Sequence, residues 1–340
     1  MTILVTGGAG YIGSHMVHAL VDTGEPVVVL DNLSTGFRFL IPAAVPFVTG
    51  STGDRELVGK TIRQHGVTAS IHFAASIVVP DSVADPLAYY RHNTMNTCAL
   101  LDAAKDAGVK QVIFSSTAAV YGNPLHVPVR EDAATAPISP YGSSKLMSEI
   151  MLHDAGKDYG LRFVVLRYFN VAGADPKQRT GQSTPAATHL IKVACEAALG
   201  KRPKLEVFGT DYPTPDGTCI RDYIHVSDLA RAHSAALAYL RGGGASATFN
   251  CGYGRGASVL EVINSVKRVS GSTFPVEMRA RRAGDPAALV ADVSRIRLTF
   301  DWRPQFDDLD TIVAHALAWE RRLRFQAPAQ AAPARSRSAR

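Results

Sequence analysis

The sequence predicts an α/β fold built on a doubly wound parallel sheet, followed by a smaller second domain. Three observations lead there. A glycine-rich turn joins a β-prone run to a helical stretch at the start of the chain. β-prone runs then alternate with helical stretches, and the residues just after each run are small or polar.

The first element is read from "TILVTGGAGYIGSHMVHALVDTGEPVVVLDN", residues 2–32. Ile3 to Val5 form a strand, Gly7, Gly10 and Gly13 form a turn, and Met16, Val17, Leu20 and Val21 form a helical stripe that Gly24 ends. Val27 to Leu30 are a continuous apolar run, as in a buried parallel strand, and Asp31 stands at its end. Glycines let a pyrophosphate approach the backbone, and the helix N-terminus offers it free N–H groups and partial positive charge. An acid about 20 residues beyond the turn can accept both hydroxyls of an adenosine ribose. Asp31 would repel a 2′-phosphate, so the expected cofactor is NAD rather than NADP. His15 and His18 share a helix face without a carboxylate or cysteine cluster, so they read as packing residues and no metal is expected.

Further strands are expected at Val45–Thr49, Ala69–Phe73, Val112–Ser115 and Phe163–Leu166, with a helix over Pro86–Ala107. Ligands of such sheets bind at the carboxyl ends of the strands. The segments there are Gly7–Gly13, Asp31–Gly36, "FAAS" at 73–76, "SSTAAVYG" at 115–122 and "RYFNVAG" at 167–173. A helix is also expected from "SPYGSSKLMSE", residues 139–149, which sets Tyr141 and Lys145 one turn apart on the same face. A positive charge beside a phenol favours phenolate, so Lys145 is expected to pull Tyr141 below its usual value of about 10. Such a tyrosine can shuttle protons near neutral pH.

Composition narrows the partners. The chain has 340 residues, is 46% hydrophobic and 19% charged, and carries a net charge of +6. That is ordinary globular composition for about two domains. No apolar run approaches the roughly 18 residues of a membrane span, and "MTILVTGGAG" has no signal-like core, so a soluble cytoplasmic protein is expected. Cys98, Cys195, Cys219 and Cys251 are scattered with no CxxC, which argues against a zinc site or a disulfide framework. The last residues, 326–340, are Ala, Pro, Ser, Gln and Arg and read as a disordered tail. Its Arg335, Arg337 and Arg340 read as solvated rather than as a nucleic-acid contact.

TGGAGYIG, Asp31, HFAAS, Asn93, SSTAAVYG, Tyr141-xxx-Lys145 and RYFNVAG together resemble the extended short-chain dehydrogenase/reductases. Within that group "VFGTDYPTPDGTCIRDYIHVSDLA" at 207–230 and "RRAGDPA" at 281–287 resemble the UDP-sugar 4-epimerases, so the likeness spans about residues 1–320. It implies a Rossmann sheet over residues 1–171, rejoined by 215–241, and a discontinuous α/β substrate-binding domain within 172–325. It implies bound NAD, a UDP-sugar substrate, and interconversion of UDP-galactose and UDP-glucose by transient oxidation at C4. It further implies a homodimer and no nucleic-acid or membrane partner. Tyr141 matches the family's base, Lys145 the lysine that holds the ribose, and Thr117 the hydroxyl that hydrogen-bonds the same sugar oxygen. Tyr11 and Ile12 match the pyrophosphate turn. Asp31, Asn32, Leu33, Ser34, Thr35 and Gly36 match the adenosine ribose loop. Phe73, Ala74, Ala75, Ser76, Ile77, Asn93 and Phe169 complete the cofactor set. Asn170 and Arg221 match diphosphate contacts, Phe208 a uracil contact, and Arg282 and Asp285 the grip on diphosphate and uridine ribose. Thr188 and His189 fall in the uridine region.

The chain also departs from the family pattern. Ser51-Thr52 replace an Asp-Ile pair that contacts adenine, and Ile77 replaces a lysine, which predicts looser NAD binding. Leu289 stands where some members carry Tyr, which predicts room for an N-acetyl group and turnover of UDP-GlcNAc. Ala118-Ala119 after Thr117 lack the acid and base that a 4,6-dehydratase needs. A 4-epimerase of UDP-glucuronate or UDP-xylose, and a non-catalytic NAD-binding regulator, stay open as alternatives.

Overall fold

A computed structural model describes residues 1–326 apart from 186, 283 and 284, so nearly all of the expected tail lies outside the described residues. In chain order the first half contains β1 (Thr2–Thr6), α1 (Tyr11–Asp22), β2 (Val27–Asp31), β3 (Phe47–Thr49), α2 (Arg55–His65) and β4 (Val67–His72). There follow α3 (Val79–Ala84), α4 (Pro86–Tyr89), a π-helical turn (Tyr90–Met95), α5 (Asn96–Asp106), β5 (Gln111–Thr117), α6 (Pro140–Tyr159) and β6 (Arg162–Tyr168). The second half contains β7 (Asn170–Ala172), α7 (Leu190–Ala198), β8 (Leu205–Phe208), β9 (Ile220–Arg221), β10 (Tyr223–His225), α8 (Val226–Arg241) and β11 (Ala247–Cys251). It closes with β12 (Ala257–Ser258), α9 (Val259–Ser270), β13 (Val276–Arg279), β14 (Ala288–Leu289), α10 (Ser294–Thr299) and α11 (Leu309–Gln326).

The main sheet has the order β11-β6-β5-β4-β1-β2-β3, and every pair in it is parallel. β2, "VVVLD", is buried at every position, as a parallel strand covered on both faces must be. Side chains alternate between the two layers. Ile3 and Val5 join Met16, Val17 and Leu20 of α1 and Leu229 and Ala232 of α8, whereas Leu4 joins Val58 and Ile62 of α2 and Leu100 of α5. Phe114 and Val112 meet Leu152 of α6. The chain leaves β1 toward β2 on one side, while β4 pairs on the other, so the switch point of the sheet lies at the end of β1.

Three elements differ from expectation. β3 starts at Phe47 rather than Val45, because Pro46 has no N–H for the ladder and Val45 N–H closes a turn onto Pro42 O. The helix expected over 86–107 is broken by the π-helical turn, where Asn93 is drawn inward and buried. The seventh strand, β11, lies beyond the segment expected to rejoin the sheet. Its sequence "ATFNC" carries a buried Asn250 where an apolar run would be read as strand.

The second half makes three small sheets. β10 pairs with β7, β9 lies between β12 and β14, and β13 pairs with β8. α7, α9 and α11 pack together behind them.

Candidate active site

The turn after β1 is shaped by contact with its own neighbours. Gly7 has φ +66°, and a Cβ on it would lie 2.5 Å from Ala74 N. A Cβ on Gly13 would lie 2.2 Å from Gly7 O, so α1 can start this close to β1 only with glycine there. α1 begins at Tyr11 without a side-chain cap, so N–H groups of its first turn remain available to an anion. Tyr11 itself is spoken for: its hydroxyl donates to Gly173 O at 2.7 Å.

Asp31 is buried and accepts two backbone N–H groups, from Ala9 to Oδ2 at 2.9 Å and from Leu33 to Oδ1 at 2.7 Å. Burial moves its carboxyl upward and these two bonds oppose that. Leu33 takes the left-handed conformation, φ 59°, and Asn32, Leu33, Ser34 and Thr35 form an exposed rim that returns to Gly36 beside Ala9. Across the switch point, Phe73, Ala74, Ala75 and Ser76 are half-buried and Ile77 is exposed. Asn93 clamps this loop: its Oδ1 accepts Ser76 N–H at 2.8 Å, and its Nδ2 donates to Ser76 O and to Ser144 Oγ, each at 3.0 Å. The Asn93 amide therefore fixes the loop to α6. Of the two departures before α2, Thr52 is buried and Ser51 Oγ accepts Gly53 N–H at 3.1 Å.

Ser139 caps α6, its Oγ accepting Gly142 N–H at 3.2 Å, and Pro140 occupies the first turn. That start delivers Tyr141 and Lys145 on one face. Thr117 ends β5 opposite Tyr168 in the register, and its hydroxyl acts on the Tyr141 phenol to favour ionisation. The direction expected for Tyr141 is overturned. Burial pushes its phenol up to about 12, with the Thr117 hydrogen bond opposing. Burial also pulls Lys145 down to about 7, with Glu149 opposing. The lysine ammonium lies 4.5 Å from the centre of the Phe114 ring. Desolvation outweighs the helical spacing from which the opposite was expected.

The remaining residues gather on the second half. Phe169 is buried after β6 and Asn170 opens β7, with its N–H donating to Asp222 O at 2.9 Å. Arg221 immediately precedes Asp222, so this bond brings the backbones of the two predicted diphosphate contacts together. Arg221 donates to Ile220 O and Pro286 O, each at 2.9 Å, stands 3.7 Å from Asp285, and pairs in register with Leu289. The Arg282 guanidinium stacks 3.7 Å from the centre of the Phe208 ring. Thr188 and His189 are exposed, and Gln182 donates to His189 Nδ1 at 2.8 Å. Asn170, His189, Tyr223 and Trp319 help line a small pocket. His15 and His18 bond to Tyr11 O at 2.7 Å and Leu40 O at 3.0 Å.

Sequence reasoning missed Glu149 and Arg167. Glu149 is buried and holds Arg167 through Nε and Nη2. The signal was present in "YGSSKLMSE", where Glu149 follows Lys145 by the interval that separates Lys145 from Tyr141.

A glycine cradle and an uncapped helix start at the switch point of a parallel sheet, with Asp31 at the end of the next strand, fit NAD and define a dinucleotide-dependent enzyme. The chain belongs to the NAD dependent epimerase/dehydratase family, whose profile matches residues 3–252. It is 61% identical over 336 residues to a UDP-glucose 4-epimerase of Azospirillum brasilense, covering 99% of this chain and 97% of that one. Its structure resembles that of the Brucella ovis UDP-glucose 4-epimerase in complex with NAD, with a TM-score of 0.91, 47% identity, and coverage of 93% and 97%. It also resembles the UDP-Glc/GlcNAc 4-epimerase of Campylobacter jejuni, with a TM-score of 0.83, 49% identity, and coverage of 94% and 99%. No described helix is long and apolar enough to cross a membrane.

Proposed function

We propose that the chain is a UDP-glucose 4-epimerase that interconverts UDP-galactose and UDP-glucose. The observation that carries this is Thr117 at the end of β5 acting on Tyr141 in the first turn of α6, with Lys145 one turn further, on the same sheet as the glycine turn that follows β1. When bound, NAD supplies reversible acceptance of hydride at sugar C4 and a positive charge in the groove. With that positive charge, Lys145 and Thr117 favouring the phenolate that burial alone disfavours, Tyr141 takes the proton of the C4 hydroxyl and returns it, and Thr117 shares that hydroxyl through a hydrogen bond. Lys145 contributes its charge and its donors to ribose hydroxyls. Asp31, with backbone N–H groups already fixing it, receives the adenosine ribose, and Asn93 keeps the 73–77 loop in place. Arg221 and Asn170 meet the diphosphate together with Arg282, while Asp285 accepts the uridine ribose hydroxyls and Phe208 faces the uracil. Ala118-Ala119 disfavour a dehydratase, and the intact Thr117–Tyr141–Lys145 set disfavours a non-catalytic regulator.

Leu289 beside Arg221 supports a second substrate class, UDP-GlcNAc and UDP-GalNAc. The C. jejuni relative is described as acting on both Glc and GlcNAc forms. We divide the chain into a NAD-binding body, residues 1–171 with 215–241 and the sheet strand β11, and a substrate-binding body from the rest of 172–325; the packing of α8 on α1 and of β11 on β6 supports this division. Exposed Val83, Leu87, Met95, Met147 and Ile150, on elements that pack together around α6, support a homodimer through that face. Four free cysteines are consistent with a reducing cytoplasm.

The test is turnover by the purified protein with no cofactor added. Formation of UDP-glucose from UDP-galactose supports an epimerase that retains its NAD. No conversion with or without NAD would reject the assignment.

A further inference from the structure

The face of α6 that carries Tyr141 and Lys145 continues one turn further to Glu149. Lys145 and Glu149 are each only 2% exposed. The Glu149 carboxylate is fully engaged. Its Oε1 accepts from Arg167 Nε at 3.1 Å and from the Ser116 hydroxyl, and its Oε2 accepts from Arg167 Nη2 at 2.6 Å. Arg167, on β6, is anchored in turn: Nη1 donates to the Tyr121 hydroxyl at 3.0 Å, and that hydroxyl donates to Asn250 Oδ1 on β11 at 2.6 Å. The anion is therefore held still by groups from three strands. Among the described residues Lys145 has no ion-pair partner, and its ammonium faces the Phe114 ring instead.

We propose that Glu149 is a positioning residue that keeps the Lys145 ammonium charged without capturing it, and that Arg167 is what prevents the capture. This rests on the epimerase reading above and adds a control on its lysine. A buried ammonium with only a ring before it would shed its proton. A carboxylate free to swing would bind the ammonium and occupy the donors needed elsewhere. Tied to Arg167 and Ser116, Glu149 contributes its field while its lone pairs are taken. The other groups around Lys145 leave that field as the deciding one. His72, from β4, is held neutral between Thr6 and Thr97 hydroxyls, with burial keeping it down at about 3. Tyr141 without a bound dinucleotide is neutral, and of the Glu149–Arg167 pair it is the carboxylate, one turn from Lys145 on α6, whose charge acts on the lysine. Burial draws Lys145 down and Glu149 is the group that opposes it.

Two variants separate this role from a merely structural one. E149Q/R167M removes both charges of the pair, so no unpaired charge stays buried. R167M alone frees Glu149 to reach Lys145. The readout is the pH titration of Lys145 in the full chain as purified, followed by NMR of lysine labelled at Cε. Its signal is identified by its loss in Lys145→Met, and melting curves verify folding. The expected result is a shift of Lys145 by about one unit to lower pH in E149Q/R167M and to higher pH in R167M. The alkaline limb of the epimerase pH profile moves the same way, and Arg167→Lys restores the parent titration. An unmoved Lys145 titration in the double variant, or movement of both variants in one direction, would overturn the proposal. Either result stands whatever sugar is turned over, whereas failure of the epimerase reading shows as inactivity of the parent protein.

Discussion

Lys145→Met is expected to make the protein more stable while abolishing its activity. The lysine is 2% exposed, and burial pulls it from 10.5 to about 7. A fall of that size corresponds to about 5 kcal/mol of preference for the neutral form. At pH 7, where about half of the folded molecules have already lost the proton, about 4 kcal/mol of it weighs against folding. The sign follows from proton counting. Between pH 7 and 10.5 the unfolded chain binds more protons than the folded one, so stability rises with pH across that window. The penalty is full below about pH 7 and gone above about 10.5. Methionine keeps the apolar stem and removes the charge, so urea unfolding of protein freed of NAD should give a gain of about 2–4 kcal/mol at pH 7. The gain should shrink toward zero near pH 10.5. A loss of stability at pH 7, or a difference that does not change with pH, would refute the claim that the ammonium is buried at a cost. Such a cost is the usual mark of a residue kept for chemistry rather than for the fold.

Three other predictions are simpler to test. Tyr141→Phe should lower kcat by about 10²–10⁴-fold with little change in folding, because only the proton-transferring oxygen is lost; steady-state assays decide it. Acid should unfold the protein early. His15 and His233 are held neutral at about 4 and His72 at about 3, all by burial. The unfolded chain therefore takes up protons below about 6.5 that the folded chain refuses. Stability is fullest above 6.5 and falls by about 3 kcal/mol for each of His15 and His233 by pH 4, which a urea midpoint series from pH 7 to 4 would detect. Leu289→Tyr should fill space beside Arg221 and lower kcat/KM for UDP-GlcNAc by at least about tenfold while sparing UDP-glucose; equal losses for both would count against Leu289 as the selector.

The cofactor half of the site was legible because its chemistry is local. Gly7, Gly13 and Asp31 act through a strand, a turn and a helix that adjoin in sequence, and Tyr141 and Lys145 through one turn of α6. What escaped depends on residues distant in the chain. Arg167 meets Glu149 across 18 positions, and Asn250 meets Tyr121 across 129, with no period to betray either pair. β11 was hidden by that same Asn250, a polar residue whose side chain is satisfied only in the folded protein. The π-helical turn follows from Asn93 being pulled onto Ser76 and Ser144, which an apolar stripe cannot foretell. The shift of Tyr141 was read backwards because spacing reports proximity of charge but not desolvation, and here desolvation is the larger effect.

The central claim is that Tyr141 removes and returns the C4 hydroxyl proton at a site where NAD, when bound, would hold the C4 hydride for return to the same sugar. Deuterium placed at C4 of UDP-galactose tests it directly, with an equal amount of unlabelled UDP-galactose carrying a mass tag elsewhere in the molecule. The account predicts that the UDP-glucose formed keeps its deuterium at C4, with none passed to the tagged molecules and none lost to water. Washout to solvent, or scrambling between the two populations, would contradict it.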